Sequence, residues 1–98
     1  SQMIELVSRN VSLKPSQRRQ INAWLRRPLR IGQRIGNFVM KLTIQRTGNM
    51  YVVRADVQDG AGTFTCRARQ ASVLDACKRV VHAAYAQLHS QRLQLNAS

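Results

Sequence analysis

The sequence predicts an α+β fold, a β-α-β-β-β-α two-layer sandwich in which a four-stranded, mostly antiparallel sheet carries two helices on one face. Three observations lead there. Four segments alternate apolar and polar residues with the period of a half-buried strand, two others repeat apolar residues every three or four positions, and short runs of turn residues separate the last three strands. At 98 residues these elements make one domain, long enough to bury roughly two thirds of the surface of its unfolded chain.

The first segment, "MIELV", puts Ile4 and Leu6 on one face, and the alternation returns after "SRN" with Val11 and Leu13, as a strand and its continuation. In "KPSQRRQINAWLRR", Pro15 suits a first helical position, and Ile21 and Leu25 lie four apart on one face. Pro28 cannot donate a backbone hydrogen bond and biases Arg27 away from helical geometry. The helix is therefore expected to end at Arg26 or Arg27, leaving residues 28–36, with Gly32 and Gly36, as a loop. In "NFVMKLTIQ", Phe38, Met40, Leu42 and Ile44 point one way and Val39, Lys41, Thr43 and Gln45 the other. After the turn "RTGN", "MYVVRADVQ" alternates through Tyr51, Val53, Ala55 and Val57; after "DGAG", "TFTCRARQ" alternates through Phe64, Cys66 and Ala68. Three strands in a meander follow from this. "SVLD" is a capping-box arrangement of Ser72 and Asp75, and Val73, Cys77, Val80, Val81, Ala84 and Leu88 then form the apolar stripe of a long helix. The core is expected over residues 3–92, with 93–98 as a frayed tail.

Sixteen Lys plus Arg face four Asp plus Glu, a formal charge of +12, and only Lys14, Lys41 and Lys78 are lysines. A field of this sign attracts polyanions, and the planar guanidinium fork suits phosphate. No stretch has the apolar length of a membrane span and the N-terminus lacks the apolar core of a signal peptide, so a cytoplasmic protein without a membrane partner is expected. Catalysis has no visible machinery: Glu5, Asp56, Asp59 and Asp75 fall on separate elements, and no Ser or Cys has an evident His and orienting acid. No cofactor or small-molecule substrate is implied. Cys66 and Cys77 lack C-x-x-C spacing and read as reduced thiols of the core.

"AWLRRPLRIGQR" carries Arg26, Arg27, Arg30 and Arg34 with no acid among them. Arginine at a helix C-terminus is favoured by the macrodipole, which accounts for Arg26 and Arg27 but not for two more cations in the expected loop; phosphate contact accounts for the whole cluster. On the last helix, Lys78, His82, Tyr85, His89 and Arg92 share one narrow stripe beside the core face, with Arg79 adjoining it. Cations interleaved with rings suit RNA, since phosphates take the charge and a ring can stack on an unpaired base. A solvated flank with Tyr85 half-buried is the alternative. His82 and His89 stand two turns apart with no Cys or acid beside them, and no metal site is expected. Lys41, Arg54, Arg67 and Arg69 form a candidate second RNA face on the outer side of the sheet, a pattern also expected of an ordinary solvated strand surface. Trp24 reads as core or edge packing.

Taken in register, "IELVSRNVSLKPSQRRQINAWL", Phe38 to Ile44 and "GTFTCRARQASVLDACKRVVHAAYAQL" resemble the hibernation-promoting factor family, also called ribosome-associated inhibitor or protein Y. The resemblance covers nearly the whole chain and looks like the family's short form, without its C-terminal dimerisation domain. It implies a non-catalytic protein that binds the RNA of the small ribosomal subunit in the channel used by messenger and transfer RNA, silencing idle ribosomes in stress or stationary phase. The chain is expected to be a single ribosome-binding domain and a monomer, with self-association left open by the sequence. Arg27, Arg30 and Arg92 fall on positions where the family carries basic contacts. Ala83, Ala86 and Ser90 stand where Lys or Arg is common, Ser72 replaces a usual acid, and Pro28 replaces a usual apolar residue. Two other readings keep the same fold: a general binder of structured RNA, related in shape to double-stranded RNA-binding domains, and a protein-interaction module, as in the family's older label of sigma-factor modulator.

Overall fold

Phe38, Met40, Leu42 and Ile44 are completely buried, and the domain is built on that row. The computed structural model describes residues 3–60 and 62–97, in the order β1 (Met3–Arg9), α1 (Pro15–Ile35), β2 (Val39–Thr47), β3 (Met50–Asp59), β4 (Gly62–Gln70) and α2 (Val73–Ala97). Ala61 of the "DGAG" turn and the last residue of the expected tail lie outside the described residues. The sheet runs β1-β2-β3-β4. β2, β3 and β4 form the antiparallel meander, and β1 pairs in parallel with β2, as the intervening helical crossover requires. The core joins Phe38, Met40, Leu42, Ile44, Val53, Ala55 and Val57 of the sheet side to Ile21, Leu25 and Ile31 of α1 and to the α2 stripe from Val73 to Leu88. The predicted fold class holds, with both helices on the apolar face.

Three boundaries differ from the sequence reading. α2 continues as helix through Ala97, into residues 93–98 that the sequence reading gives to a tail. β1 stops at Arg9 because Asn10 turns the chain with a φ of 60°, a left-handed conformation that asparagine tolerates. Val11 and Leu13 therefore reach the core from an irregular segment rather than from a strand. The largest correction concerns α1, which does not end at Arg26 or Arg27 but continues through Pro28 to Ile35. Proline inside a helix costs about 3 kcal/mol, because it cannot donate to the carbonyl one turn back and crowds it. Beyond it, however, lie Ile31, which is buried, and Leu29, which is half-buried, while Pro28 itself is buried; full burial of a large aliphatic side chain contributes about 1.5–3 kcal/mol. The apolar stripe Ile21, Leu25, Pro28, Ile31 keeps the helical period across the proline, so burial outweighs the break.

The helix is also held there by Gly32. A Cβ on it would stand 2.3 Å from Cγ of the buried Phe38 ring, so only glycine lets the helix sit directly on the start of β2. Gly36, with a φ of 89°, then ends α1, its N–H donating to the Gly32 carbonyl at 3.0 Å. At the other helix, the expected cap is present in one arm: the Asp75 N–H donates to Ser72 Oγ at 3.4 Å.

Candidate nucleic-acid interface

Because α1 continues to Ile35, Arg27, Arg30 and Arg34 are helical residues at spacings of three and four on one face, not loop residues. No acid occurs anywhere in α1, so these neighbours repel one another with no compensation inside the element. The macrodipole, which favours cations at a helix C-terminus, now acts on Arg34 in the last turn instead of Arg26 and Arg27.

α2 runs alongside and supplies the opposite wall. Arg27, Arg30 and Arg34 meet Tyr85 and Arg92 around a hollow of about 160 Å³ floored by the buried Ile31. The Arg27 guanidinium carbon lies 4.4 Å from the centre of the Tyr85 ring, a cation-π contact that fixes both side chains across the two helices. His89, one turn further along α2, stacks on Tyr85 with ring centres 6.0 Å apart and planes at 14°. Towards the start of α2 the same path passes a second hollow between Trp24, Pro28, Val81 and His82, and then one bordered by Asp75, Lys78, Arg79 and His82. The α2 stripe read from the sequence is thus continuous with the α1 arginines, and none of the four acids borders the Arg27–Arg92 hollow.

Not every expected residue joins. Arg26 is exposed on the flank of α1 and does not line the hollow. Tyr85 is half-buried with Arg27 on its ring, so what it offers a ligand is a positioned guanidinium rather than a bare stacking surface. Trp24, expected as packing, is half-buried against the core and also forms part of the groove wall. Pro28 and Ile31 were not expected in the site at all; the unbroken apolar period through Pro28 is the signal that places them there.

On the outer face of the sheet, Lys41, Arg54 and Arg67 come together, while Arg69 is exposed one row away and does not line the same concavity. Arg54 is ion-paired: its Nε donates to Asp56 Oδ2 at 3.0 Å, and Thr65 Oγ1 donates to Asp56 Oδ1 at 3.0 Å. Both cysteines are free, with Cys77 buried on α2 and Cys66 half-buried on the inner side of β4. Burial pushes the Cys77 thiol up to about 12 and raises that of Cys66 as well. Among the described residues, no three His, Cys, Asp or Glu side chains gather to hold a metal ion, and no helix is long and apolar enough to cross a membrane.

Solved structures share this arrangement of elements. The N-terminal domain of Thermus thermophilus protein Y aligns over 91% of this chain and 94% of its own, with a TM-score of 0.74 and 20% sequence identity. The chain has the protein Y fold. A ribosomal subunit interface protein from Coxiella burnetii aligns over 95% of this chain and 99% of its own, with a TM-score of 0.77 and 17% identity. No protein-family model matches the sequence, and no curated protein sequence matches it. At this level of identity the protein Y likeness is one of backbone, and the groove between α1 and α2 is built from this chain's own side chains.

Proposed function

We propose that this chain is a non-catalytic ribosome-binding protein of the hibernation type. It grips RNA of the small ribosomal subunit in the α1–α2 groove and blocks the channel used by messenger and transfer RNA. The observation that carries this reading is the groove itself: Arg27, Arg30, Arg34 and Arg92 converge from two helices around Tyr85 with no acid bordering them. Concentrating cations in this way is unfavourable for the free protein and becomes favourable when phosphates enter. The Coxiella burnetii neighbour is named for the interface of ribosomal subunits, which supports the choice of partner. In this reading the protein acts in the cytoplasm of idle cells, needs no cofactor, and works by occupancy rather than chemistry. Lys78, Arg79 and His82 extend the grip along α2, and Arg26 contributes only to the general field.

A second reading, a binder of structured RNA without preference for ribosomes, is favoured by one specific observation. Ala83, Ala86 and Ser90 are exposed on α2, so the helix presents neutral residues where the resemblance leads one to expect cations. Co-sedimentation separates the two. If the protein travels with isolated small subunits at near-physiological salt, and does so in preference to an arbitrary RNA duplex, the ribosomal reading stands. Equal affinity for both, or binding only to large subunits, rejects it.

A further inference from the structure

The outer face of the sheet has a feature that the groove leaves unused. All four strands contribute a residue to a concavity of about 330 Å³: Arg9 from β1, Lys41, Thr43 and Gln45 from β2, Arg54 from β3 and Arg67 from β4. The register explains why they meet. Val7 pairs with Thr43, Thr43 with Arg54 and Arg54 with Arg67, forming one row across the sheet, and Arg9 pairs with Gln45 in the next row. Arg54 and Arg67 are thus directly opposite like charges on neighbouring strands, an arrangement that sheets ordinarily avoid because it is destabilising. Asp56 is ion-paired with Arg54, and Lys41 stands in register between Glu5 and Asp56, so Arg9 and Arg67 are the cations of this concavity with no acid opposite them. At the centre of the row, the Thr43 hydroxyl is buried and has no hydrogen-bond partner among the described residues, in a position where satisfied polar groups are the rule.

We propose that this concavity is a second phosphate-binding site, separate from the α1–α2 groove, in which Arg9 and Arg67 supply charge and Thr43 supplies a hydrogen bond. Arg54, tethered by Asp56, forms the wall and holds the cationic edge in place. The size suits a phosphate with part of an attached sugar, since small-molecule sites begin at about 300 Å³. The proposal does not rest on the role of the groove. Together the two sites would give the domain anion-binding surfaces on opposite faces of the sheet.

The test uses amide chemical shifts of the isotopically labelled Arg27/Arg30/Arg34→Ala variant, in which the groove is weakened, titrated with inorganic pyrophosphate, with a short single-stranded RNA and with poly-glutamate. The expected result is saturable shifts at Thr43, Arg54 and Arg67 with RNA and weak response to poly-glutamate. A matching response to pyrophosphate identifies free phosphate groups as sufficient, and its absence identifies the polynucleotide backbone as the source. Added to that background, Arg9→Gln/Arg67→Gln should lower the affinity about tenfold or more, as expected for the loss of two phosphate contacts, whereas the equally discharged Arg18→Gln/Arg19→Gln should not. Thr43→Val keeps the shape of the side chain, so it should fold at least as stably while binding more weakly. Shifts that bypass the sheet face, equal shifts with poly-glutamate, or equal losses in the two doubly discharged variants overturn the proposal.

Discussion

The guanidinium of Arg27 sits over Tyr85 with its central carbon 4.4 Å from the ring centre, joining the middle of α1 to the middle of α2. This contact sets the width of the groove and the direction in which one of its cations points. Arg27→Lys keeps the charge but not the planar fork. RNA affinity is expected to fall by about 1 kcal/mol or more with the salt dependence nearly unchanged, whereas Arg27→Ala lowers both affinity and salt slope. Fluorescence anisotropy with labelled RNA over a salt series measures the two quantities. An Arg27→Lys variant that binds as wild type does would remove the geometric role of the Tyr85 contact.

Tyr85→Leu keeps apolar packing and removes the ring. A cation-π contact of this half-exposed kind contributes about 0.5–1 kcal/mol, and thermal or denaturant unfolding should show a loss of that order. Because Arg27 is then released to wander, RNA affinity falls as well, although no charge has been deleted. Unchanged affinity in Tyr85→Leu would mean that Arg27 needs no support.

Gly32→Ala presents two opposing terms. Alanine gains up to about 1 kcal/mol in helix propensity, but its Cβ would meet the buried Phe38 ring at 2.3 Å, where overpacking costs typically about 1–3 kcal/mol. The clash is with the root of the ring rather than a free end, so a net destabilisation is expected in urea unfolding. A stabilised Gly32→Ala protein would show that α1 does not sit on Phe38 as closely as described.

The two thiols should differ. Cys66, on the inner side of an edge strand, should react with a thiol reagent faster than Cys77, which is buried. The Cys77 thiol is pushed from its ordinary 9.0 to about 12, which means the folded state holds its proton after the unfolded state has lost it. Stability is therefore complete below pH about 9 and declines as pH rises towards about 12. Cys77→Ala should lose less stability than wild type between pH about 9 and about 10.5, roughly the lower half of that window. Parallel pH profiles would contradict the assignment.

How much of this was readable beforehand depended on whether one interaction or many set the outcome. The rows Phe38–Ile44 and Val53–Val57 were legible because a strand's side-chain period is short and each residue repeats the same message. Pro28 was misleading because its local effect is strong, while the burial that overrides it is spread over Leu29, Ile31 and the contact between Gly32 and Phe38. That single boundary moved Arg30 and Arg34 from a loop onto a helix and turned a cluster into one wall of a groove. Arg9 is not legible as a site residue, for a different reason. Alternation from Ile4 and Leu6 already put it on the outer face, but only the parallel register of β1 with β2 sets it beside Gln45 and the sheet concavity.

The central claim is that Arg27, Arg30 and Arg34 each meet phosphate in the small ribosomal subunit. Its most direct test is the affinity of wild type and of the Arg27/Arg30/Arg34→Ala variant for purified small subunits, measured across a salt series. Each lost phosphate contact should make the logarithmic salt dependence shallower by about 0.7–0.9, so the variant's slope is predicted to be about 2–3 smaller, with binding lost at near-physiological salt. Parallel slopes for the two proteins would contradict the account and move the ribosome contact away from the α1–α2 groove.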